Sequence, residues 1–299
     1  MPNPIINTSM RENYNSFGVS NYYNLVQESY RNPHYPGLKK CLAQLMDTYL
    51  EKEKPTTIKV LDLAAGSGEA TEALLAWRSS RWPSSTPSNS STTSPIPPSE
   101  TFSSSARPRA VVRPQRPVTT PSIPEPTLSI VATDPFTSPA YRQRTGLDCL
   151  ELSFNQVAAG ELPSPSSSSS SSRIQRTEDP SSELTEEKEP EEEGETEEEE
   201  LYDLVIVSFA LHLVETPSEL WALLTELAKR ARWLCVIAPH KKPDIKSTWG
   251  WRRWDPSKTK WGPAEGRGNV GGQEGDGFEI VLDRVRLRLW RSEENWEET

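Results

Sequence analysis

The stretch VLDLAAGSGEAT, Val60 to Thr71, decides the fold. Apolar residues surround Asp62, and small residues that include Gly66 and Gly68 follow it. This order is typical of a buried strand that runs into a tight turn and opens a helix. Glycine at such a turn lets the backbone approach a ligand closely. The stretch therefore predicts a ligand-binding turn at the end of a parallel strand.

Strand and helix patterns alternate on both sides of this stretch. Further strand patterns are LSIVATDP (128–135), CLELSF (149–154), LYDLVIVSFAL (201–211) and RWLCVIAP (232–239). Helix patterns lie between them, and TPSELWALLTELAKRA opens with a capping box of Thr216 and Glu219. Strands that alternate with helices predict an α/β fold with a mostly parallel, Rossmann-like sheet flanked by helices.

The C-terminal stretch FEIVLDRVRLRLWRS alternates apolar residues with arginines. This period of two predicts an antiparallel C-terminal strand at the end of the sheet. Its solvent-facing side would carry Arg284, Arg286 and Arg288.

Two biased segments interrupt the pattern. Residues 79–126 are rich in Ser, Thr and Pro, and residues 163–200 hold a serine run followed by an acidic run. Neither can bury enough apolar surface to offset the entropy of ordering, so both are predicted to be disordered inserts. We expect a helical, aromatic N-terminal cap over residues 1–55 and a main domain over residues 56–299 that contains both inserts.

Charge follows the same division. Between Glu178 and Glu200 there are 14 acidic residues and one base, Lys188, so the rest of the chain, at −10 overall, sums to +3. The folded part is therefore predicted to be mildly basic, and the acidic tract is interpreted as a solvated, self-repelling insert.

The cysteines and the N-terminus exclude several classes. Cys41, Cys149 and Cys235 lie far apart without a CxxC spacing, which argues against a zinc site and a disulfide framework, and no metal is expected. The first residues lack the apolar core of a secretory signal, and no run approaches the roughly 18 apolar residues of a membrane span. We expect a cytoplasmic or nuclear protein without a membrane partner, and the sequence leaves its oligomeric state open.

Two acids indicate the kind of ligand. Asp62 precedes the glycine turn, where it would disfavour a pyrophosphate but favour a cationic sulfonium with an amino group. Thr71 stands where the dinucleotide fingerprint requires glycine or alanine. Asp134 lies 72 positions after Asp62, and removal of the 48-residue first insert leaves 24, close to the roughly 20 expected for a ribose-binding acid. The alternative is that Asp134 only forms a turn before Pro135.

VLDLAAGSGEAT, LSIVATDP and YDLVIVSFALHLV together resemble the class I S-adenosylmethionine-dependent methyltransferases, from Thr57 to about Pro239 without the inserts. The resemblance implies S-adenosylmethionine as the cofactor. It implies that the turn from Asp62 to Gly68 contacts the amino acid part of the donor, although Ala64 replaces a common glycine, and that Asp134 contacts the ribose.

By the same resemblance, Ser153 and Phe154 would flank the adenine, and Ser208 and Phe209 would line the methyl-transfer site. Ser153 stands where many members have an acid, so adenine recognition would depend on Phe154. The fuller pattern, with its low-complexity inserts, resembles fungal methyltransferase-domain proteins.

The methyl acceptor is predicted to be a small molecule. SFAL at 208–211 lacks the Asn/Asp-Pro-Pro-aromatic turn of amino-group DNA and glutamine methyltransferases. His212 and His240 each follow a strand and are the candidate general bases, with a structural role as the alternative for both. His34 in the cap is a third candidate base, and Tyr22, Tyr23 and Arg31 are candidates for closing the pocket and contacting the donor carboxylate, with packing as the alternative.

The tract HKKPDIKSTWGWRRWDPSKTKW mixes basic and aromatic residues. We favour a loop that closes over the pocket with Trp249, Trp251 and Trp254 as walls, over a platform that stacks single-stranded nucleic acid. An RNA or protein acceptor, or a catalytically degenerate fold that serves as a binding subunit, remain the alternative functions.

Overall fold

The computed structural model describes residue 18 and residues 32–83, 123–165, 200–264 and 278–296. The helices are α1 Tyr35–Glu53, α2 Glu69–Arg81, α3 Ser138–Thr145, α4 Phe154–Ala158 and α5 Pro217–Arg230. The strands are β1 Thr57–Leu63, β2 Thr127–Thr133, β3 Cys149–Leu150, β4 Tyr202–Ser208, β5 Ala231–Ala238, β6 Trp251–Asp255, β7 Gly262–Pro263, β8 Glu279–Leu282 and β9 Val285–Ser292.

These strands form one sheet in the order β3-β2-β1-β4-β5-β9-β6-β7, with β8 also paired to β9. The first five are parallel, and β9 runs antiparallel to β5. This order confirms the predicted α/β, Rossmann-like fold. The direction of the strand order reverses between β1 and β4, and ligands of open parallel sheets bind at the carboxyl ends of the strands at such a point.

Two apolar cores cover the two faces of the sheet. Helices α1 and α2 cover one face, where leucines such as Leu42 and Leu74 pack on Val60 of β1. Helices α4 and α5 cover the other face, where Leu224 packs with Val205 of β4. Each buried leucine contributes about 1.5–3 kcal/mol, so the two cores hold the strand ends in fixed positions.

Local signals set the start of α5, as the sequence predicts, and the end of α3. Thr216 and Glu219 form the capping box of α5, with Pro217 in its first turn. Helix α3 ends at Gly146, which has the left-handed φ of 73°. The third strand, however, is shorter than predicted. Ser153 caps α4 through a second capping box with Gln156, so the chain leaves the sheet after Leu150.

The C-terminal strand is not at the end of the sheet, contrary to the prediction. β9 pairs with β5 on one side and with β6 and β8 on the other. The arginine-bearing face is solvated over only part of its length, because Arg284 is exposed but Arg288 is only 3% exposed. Its Nη1 donates hydrogen bonds to the carbonyl oxygens of Lys241 and Pro243, so the chain that follows β5 covers this face.

The tryptophan tract is a strand rather than a loop over the pocket. Trp251 opens β6, is fully buried, and donates from Nε1 to the carbonyl oxygen of Leu224 at 2.8 Å. Trp254 pairs with Leu289 in the same sheet. Trp249 directly precedes β6, whose first residues lie level with the amino end of β5, away from the carboxyl ends of the strands. The predicted walls therefore do not line the site.

The chain remains ordered at both ends of the first predicted insert. Helix α2 continues to Arg81, and Trp82 Nε1 donates to the carbonyl oxygen of Ile123 at 3.3 Å. The start of the second predicted insert is fixed in the same way, because the Tyr202 hydroxyl donates to the carbonyl oxygen of Pro163 at 2.8 Å. Residues 84–122 and 166–199, where disorder was predicted, lie outside the described residues, as do Tyr22, Tyr23 and Arg31. None of the helices in the described ranges is long and apolar enough to cross a membrane.

Candidate functional site

Two strained residues mark the point where the strand order reverses. Ala64 follows β1 and Phe209 follows β4, and each has a φ of 55°. This left-handed conformation costs a residue with a Cβ roughly 1–2 kcal/mol. Strain of this kind persists where surrounding structure enforces it and is concentrated at functional sites. The backbone therefore singles out the carboxyl ends of β1 and β4 as the candidate site.

Asp62 lies beneath this point and is fully buried. Its Oδ2 accepts hydrogen bonds from Thr71 Oγ1 at 2.7 Å and from the Thr71 backbone amide at 3.2 Å. Among the described residues, its Oδ1 has no hydrogen-bond partner. Burial raises the pKa of Asp62 to about 7, with smaller contributions from the nearby Glu69 and Asp134. Asp62 thus joins β1 to α2 and keeps one buried oxygen without a proton donor.

Asp134 follows β2 and is 6% exposed. Its Oδ1 accepts from the backbone amides of Phe136 and Thr137, and its Oδ2 accepts from the Gly66 amide at 3.0 Å. The turn after β1 and the end of β2 are therefore joined through one carboxylate. A carboxylate oxygen has two lone pairs, so Oδ1 is saturated and Oδ2 can accept one further hydrogen bond.

The two glycines of the turn have different surroundings. A Cβ on Gly66 would meet one atom within 4 Å, Glu69 Oε2 at 3.7 Å. A Cβ on Gly68 would lie 2.6 Å from Thr145 and 3.0 Å from Tyr141, so Gly68 allows α3 to pack on the turn. Of the two, Gly66 is the one whose missing side chain leaves space for a ligand.

An ion-pair network beside the turn was not predicted from the sequence. Arg144 of α3 pairs with Glu69, 3.2 Å away, and with Glu72, both in the first turn of α2. The guanidinium also lies over the ring of Tyr35, 5.6 Å from its centroid. Burial and a hydrogen bond with Glu72 raise the pKa of Tyr35 to about 12. The sequence signal for this network is the acidic first turn of the helix after the glycines.

We call the four acids at the ends of β1 and β2 and the start of α2 the acidic half: Asp62, Glu69, Glu72 and Asp134. Arg144 is the cation that pairs with two of them. This surrounding suits a ligand that carries positive charge.

The other residues predicted to contact the methyl donor lie on two different elements, at the start of α4 and at the end of β4. Ser153 uses its hydroxyl to cap α4, and Phe154 is partly buried against the core on the α5 side. Ser208 ends β4, and the amide of Phe209 donates to the carbonyl oxygen of Ile237 at 2.8 Å. The ring of His34, which precedes α1, stacks on Phe209 with 5.7 Å between centroids. The start of α1 therefore lies at the candidate site, a long-range contact without a local sequence signal.

The two predicted bases lie together. The rings of His212 and His240 meet edge to face, 5.3 Å between centroids, and both residues are exposed. His240 Nδ1 lies 3.2 Å from the carbonyl oxygen of Lys242. Because a carbonyl only accepts, this contact places the proton of a neutral ring on Nδ1 and makes Nε2 the nitrogen that accepts a proton.

Basic residues surround this pair. We call residues 239–246 the β5 loop, and we call the basic side chains after β4 and β5 and on the adjoining part of β9 the basic half: His212, His240, Lys241, Lys242 and Arg288. In the described ranges, no group of three or more His, Cys, Asp or Glu residues could hold a metal ion.

No protein-family model matches the chain. The chain is 32% identical over 289 residues to the uncharacterised protein C17A5.05c of Schizosaccharomyces pombe (strain 972), covering 95% of this chain and 92% of that protein. Among solved structures it is similar to magnesium protoporphyrin IX methyltransferase (ChlM) from Synechocystis PCC 6803 with bound SAM, at 11% identity, a TM-score of 0.40 and 94% of each chain. It is also similar to the N-methyltransferase NodS from Bradyrhizobium japonicum WM9, at 12% identity, a TM-score of 0.38, and 87% of this chain and 97% of that one.

Proposed function

The chain belongs to one family with the fission yeast protein C17A5.05c, and we propose that it is an S-adenosylmethionine-dependent methyltransferase that acts on a small-molecule acceptor. The observation that carries the proposal is the acidic half at the point where strand order reverses. It combines the motif residues Asp62 and Asp134 with the open backbone of Gly66. When bound, S-adenosylmethionine supplies a methyl group on a cationic sulfur that an acceptor nucleophile can attack directly.

The residues of the acidic half fit this donor in charge and in space. Asp62 has a buried oxygen without a donor among the described residues, and Glu69 and Glu72 add negative charge beside it. A sulfonium with an ammonium group satisfies such a surplus better than an anionic dinucleotide would. Space is available at Gly66, where a Cβ would meet a single atom within 4 Å.

Asp134 and Ala64 complete the proposed donor site. The lone pair of Oδ2 that Asp134 does not use for the Gly66 amide accepts a hydrogen bond from a ribose hydroxyl. The left-handed φ of Ala64 turns the chain out of β1 and into the glycine turn. Ser208 and Phe209 contribute the end of β4, with Phe209 held in place by the ring of His34.

On the acceptor side, His212 and His240 take the proton that a hydroxyl or amine nucleophile loses. The contact of His240 Nδ1 with the Lys242 carbonyl oxygen orients Nε2 as the acceptor. Alignment of the reactants and removal of water supply most of the remaining rate enhancement in such a transfer.

The tryptophan tract does not support a nucleic-acid acceptor. Trp251 is fully buried and Trp254 is 8% exposed, so neither offers a ring face to a base. An RNA or protein acceptor therefore remains the second choice.

The test is a calorimetric titration of the full chain with S-adenosylmethionine. We expect binding by the wild type, and a loss of at least tenfold in affinity for Gly66→Ala because its methyl group enters the space left for the donor. The matched control is Gly146→Ala, which has the same kind of positive φ and no atom within 4 Å of its Cβ, and which should bind like the wild type. Absence of binding by the wild type, or equal affinity in all three proteins, would contradict the proposed site.

A further inference from the structure

Three buried side chains behind the glycine turn are joined by hydrogen bonds, and we call them the hydroxyl relay: Tyr141, Thr71 and Asp62. The hydroxyls of Tyr141 and Thr71 lie 2.9 Å apart, and the Thr71 hydroxyl lies 2.7 Å from Asp62 Oδ2. All three residues are 0% exposed. The relay therefore connects α3 through α2 to the carboxyl group near the end of β1, out of contact with bulk solvent.

The chemistry of the three groups fixes the direction of these hydrogen bonds when Asp62 is ionised. A carboxylate only accepts, so the single proton of the Thr71 hydroxyl is donated to Asp62 Oδ2. Thr71 Oγ1 then accepts from Tyr141, whose hydroxyl stays protonated because burial and the nearby charge of Asp62 raise its pKa. Each donor in such a series polarises the next, so Tyr141 strengthens the bond that reaches the carboxylate.

The other surroundings of Asp62 favour its neutral form. Burial raises its pKa to about 7, and Glu69 on α2 and Asp134 after β2 add negative charge nearby. Cys149 on β3 is a neutral neighbour, because burial raises the pKa of its thiol as well. The two hydrogen bonds from Thr71 lower the pKa of Asp62 and so oppose these effects. The ionised form of Asp62 therefore depends on the donors of the relay.

Packing places the Tyr141 hydroxyl beside Thr71. A Cβ on Gly68 would lie 3.0 Å from the Tyr141 ring, so the glycine leaves the room that the ring occupies. Tyr141 also forms a small core cluster with three residues of the adjoining strands and turn: Ala65, Ala132 and Cys149. The ring is thus fixed from two sides, and its hydroxyl keeps its position when no ligand is bound.

We propose that Tyr141 is a positioning residue that acts through Thr71 to keep the Asp62 carboxylate ionised, and that it thereby favours binding of the cationic methyl donor. The part of this inference that concerns the donor rests on the proposed function, whereas the relay itself does not. Because both hydrogen bonds from Thr71 reach Oδ2, Oδ1 is the oxygen of Asp62 that no described residue uses. A carboxylate attracts the positive charge of S-adenosylmethionine, and a neutral carboxyl group does not.

The experiment compares the full-length wild type with Tyr141→Phe and with the matched control Tyr202→Phe. Tyr202 is 1% exposed and its hydroxyl donates to the Pro163 carbonyl oxygen, so each variant removes one buried hydroxyl and one hydrogen bond. Tyr202 opens β4 at its amino end, whereas Asp62 lies level with Ile206 farther along that strand. Denaturant unfolding verifies that each variant is folded.

The first readout needs no ligand. Carbon-13 NMR of the aspartate carboxyl groups follows the titration of Asp62, whose signal is assigned by its loss in Asp62→Asn. We expect Tyr141→Phe to raise the pKa of Asp62 by about 0.5 to 1, because the bond from Thr71 is no longer polarised. Tyr202→Phe should leave this pKa unchanged.

A double-mutant cycle tests the route through Thr71. Thr71→Val keeps the shape of the side chain and removes its hydroxyl, so it should raise the pKa of Asp62 at least as much as Tyr141→Phe does. Tyr141→Phe should then add little to Thr71→Val, since the group through which Tyr141 acts is already absent.

The second readout is the calorimetric affinity for S-adenosylmethionine over a range of pH values. A pKa raised by this amount lowers donor affinity about three- to tenfold at a pH near 6 and leaves it nearly unchanged above a pH of about 8.5. A purely structural loss would lower the affinity equally at every pH. The pH profile therefore separates the relay from a packing role of the Tyr141 ring.

Four outcomes decide the inference. An unchanged pKa of Asp62 in folded Tyr141→Phe, or an equal rise in Tyr202→Phe, would overturn the relay. A full additional rise in the double variant would overturn the route through Thr71. Donor affinity that falls equally at every pH would overturn the link to donor binding. The expected NMR shifts in a protein that does not bind S-adenosylmethionine would support the relay and reject the proposed function.

Discussion

The acidic half and the basic half differ in how far their side chains are buried. In the acidic half, carboxylates accept hydrogen bonds from backbone amides, Thr71 and Arg144, and Asp62 is fully buried. In the basic half, the rings of His212 and His240 and the ammonium groups of Lys241 and Lys242 lie on exposed residues, while only Arg288 is buried.

The difference indicates which half is pre-organised for a fixed ligand. A turn whose polar groups are already bonded keeps its shape when the ligand leaves, as a binding site for a common donor requires. Exposed side chains at a rim adapt more easily to a particular acceptor. Substitutions in the acidic half should therefore change stability and the pH dependence of donor binding. Substitutions of the histidines in the basic half should change the rate of methyl transfer.

The largest expected effect concerns the histidine pair. His212→Gln/His240→Gln should lower the rate of methyl transfer to the small-metabolite fraction at saturating donor by about 100-fold or more, the usual contribution of a general base. Affinity for S-adenosylmethionine should not change. The measurement is single-turnover transfer of labelled methyl groups across a range of pH values.

The single variants of these histidines show whether one ring suffices. We expect His240→Gln to be the more harmful, because the Lys242 carbonyl oxygen orients its Nε2. A double variant with the wild-type rate and pH profile would remove both histidines from the chemistry and leave only their packing role.

The next largest effect concerns the packing of the glycine turn in the acidic half. Gly68→Ala should lower the free energy of unfolding by about 2–4 kcal/mol, since the new methyl group adds overpacking against Thr145 and Tyr141 to the strain of a positive φ. Gly146→Ala, which has strain but open space, should cost about 1–2 kcal/mol. Denaturant unfolding measures both. Equal losses would mean that α3 does not pack against the turn as described.

The smallest effect is the response of donor binding to pH. The pKa of Asp62 is raised to about 7 by burial, so a fraction of this carboxyl is protonated in the free protein at neutral pH. A cationic donor favours the ionised form and lowers this pKa. Affinity for S-adenosylmethionine should therefore rise by up to about tenfold per pH unit as the pH increases toward 7, and then level off.

The raised pKa of Asp62 also determines the direction in which the free energy of unfolding changes with pH. The folded protein holds the Asp62 proton more tightly than the unfolded chain, whose carboxyl has an ordinary pKa of 3.8. The free energy of unfolding should therefore fall as the pH rises from about 4 to about 7, by at most about 4 kcal/mol. Asp62→Asn should remove both pH dependences. If the variant keeps them, another group titrates.

The elements that the sequence predicted well are those with local signals. The strand before Asp62, the helix after Gly68 and the capping box of Thr216 and Glu219 each depend on residues close together in the chain. Periodicity and capping determine such elements before any tertiary contact forms.

The errors arose where two local signals competed or where a distant partner decided. CLELSF alternates like a strand, but Ser153 and Gln156 form a capping box, and the helix was favoured. Arg288 alternates like a solvated residue, but the β5 loop folds over it. The stack of His34 on Phe209 joins residues far apart in sequence, so no local pattern contains it.

The placement of β9 inside the sheet has a consequence for solubility. Because β9 is paired on both sides, the outer strands of the described sheet are β3, β7 and β8, which are two, two and four residues long, and β7 contains Pro263. Short borders with a proline offer few free amides to a strand of another molecule. The nine-stranded sheet of the described residues therefore has short edges for edge-to-edge pairing with another copy.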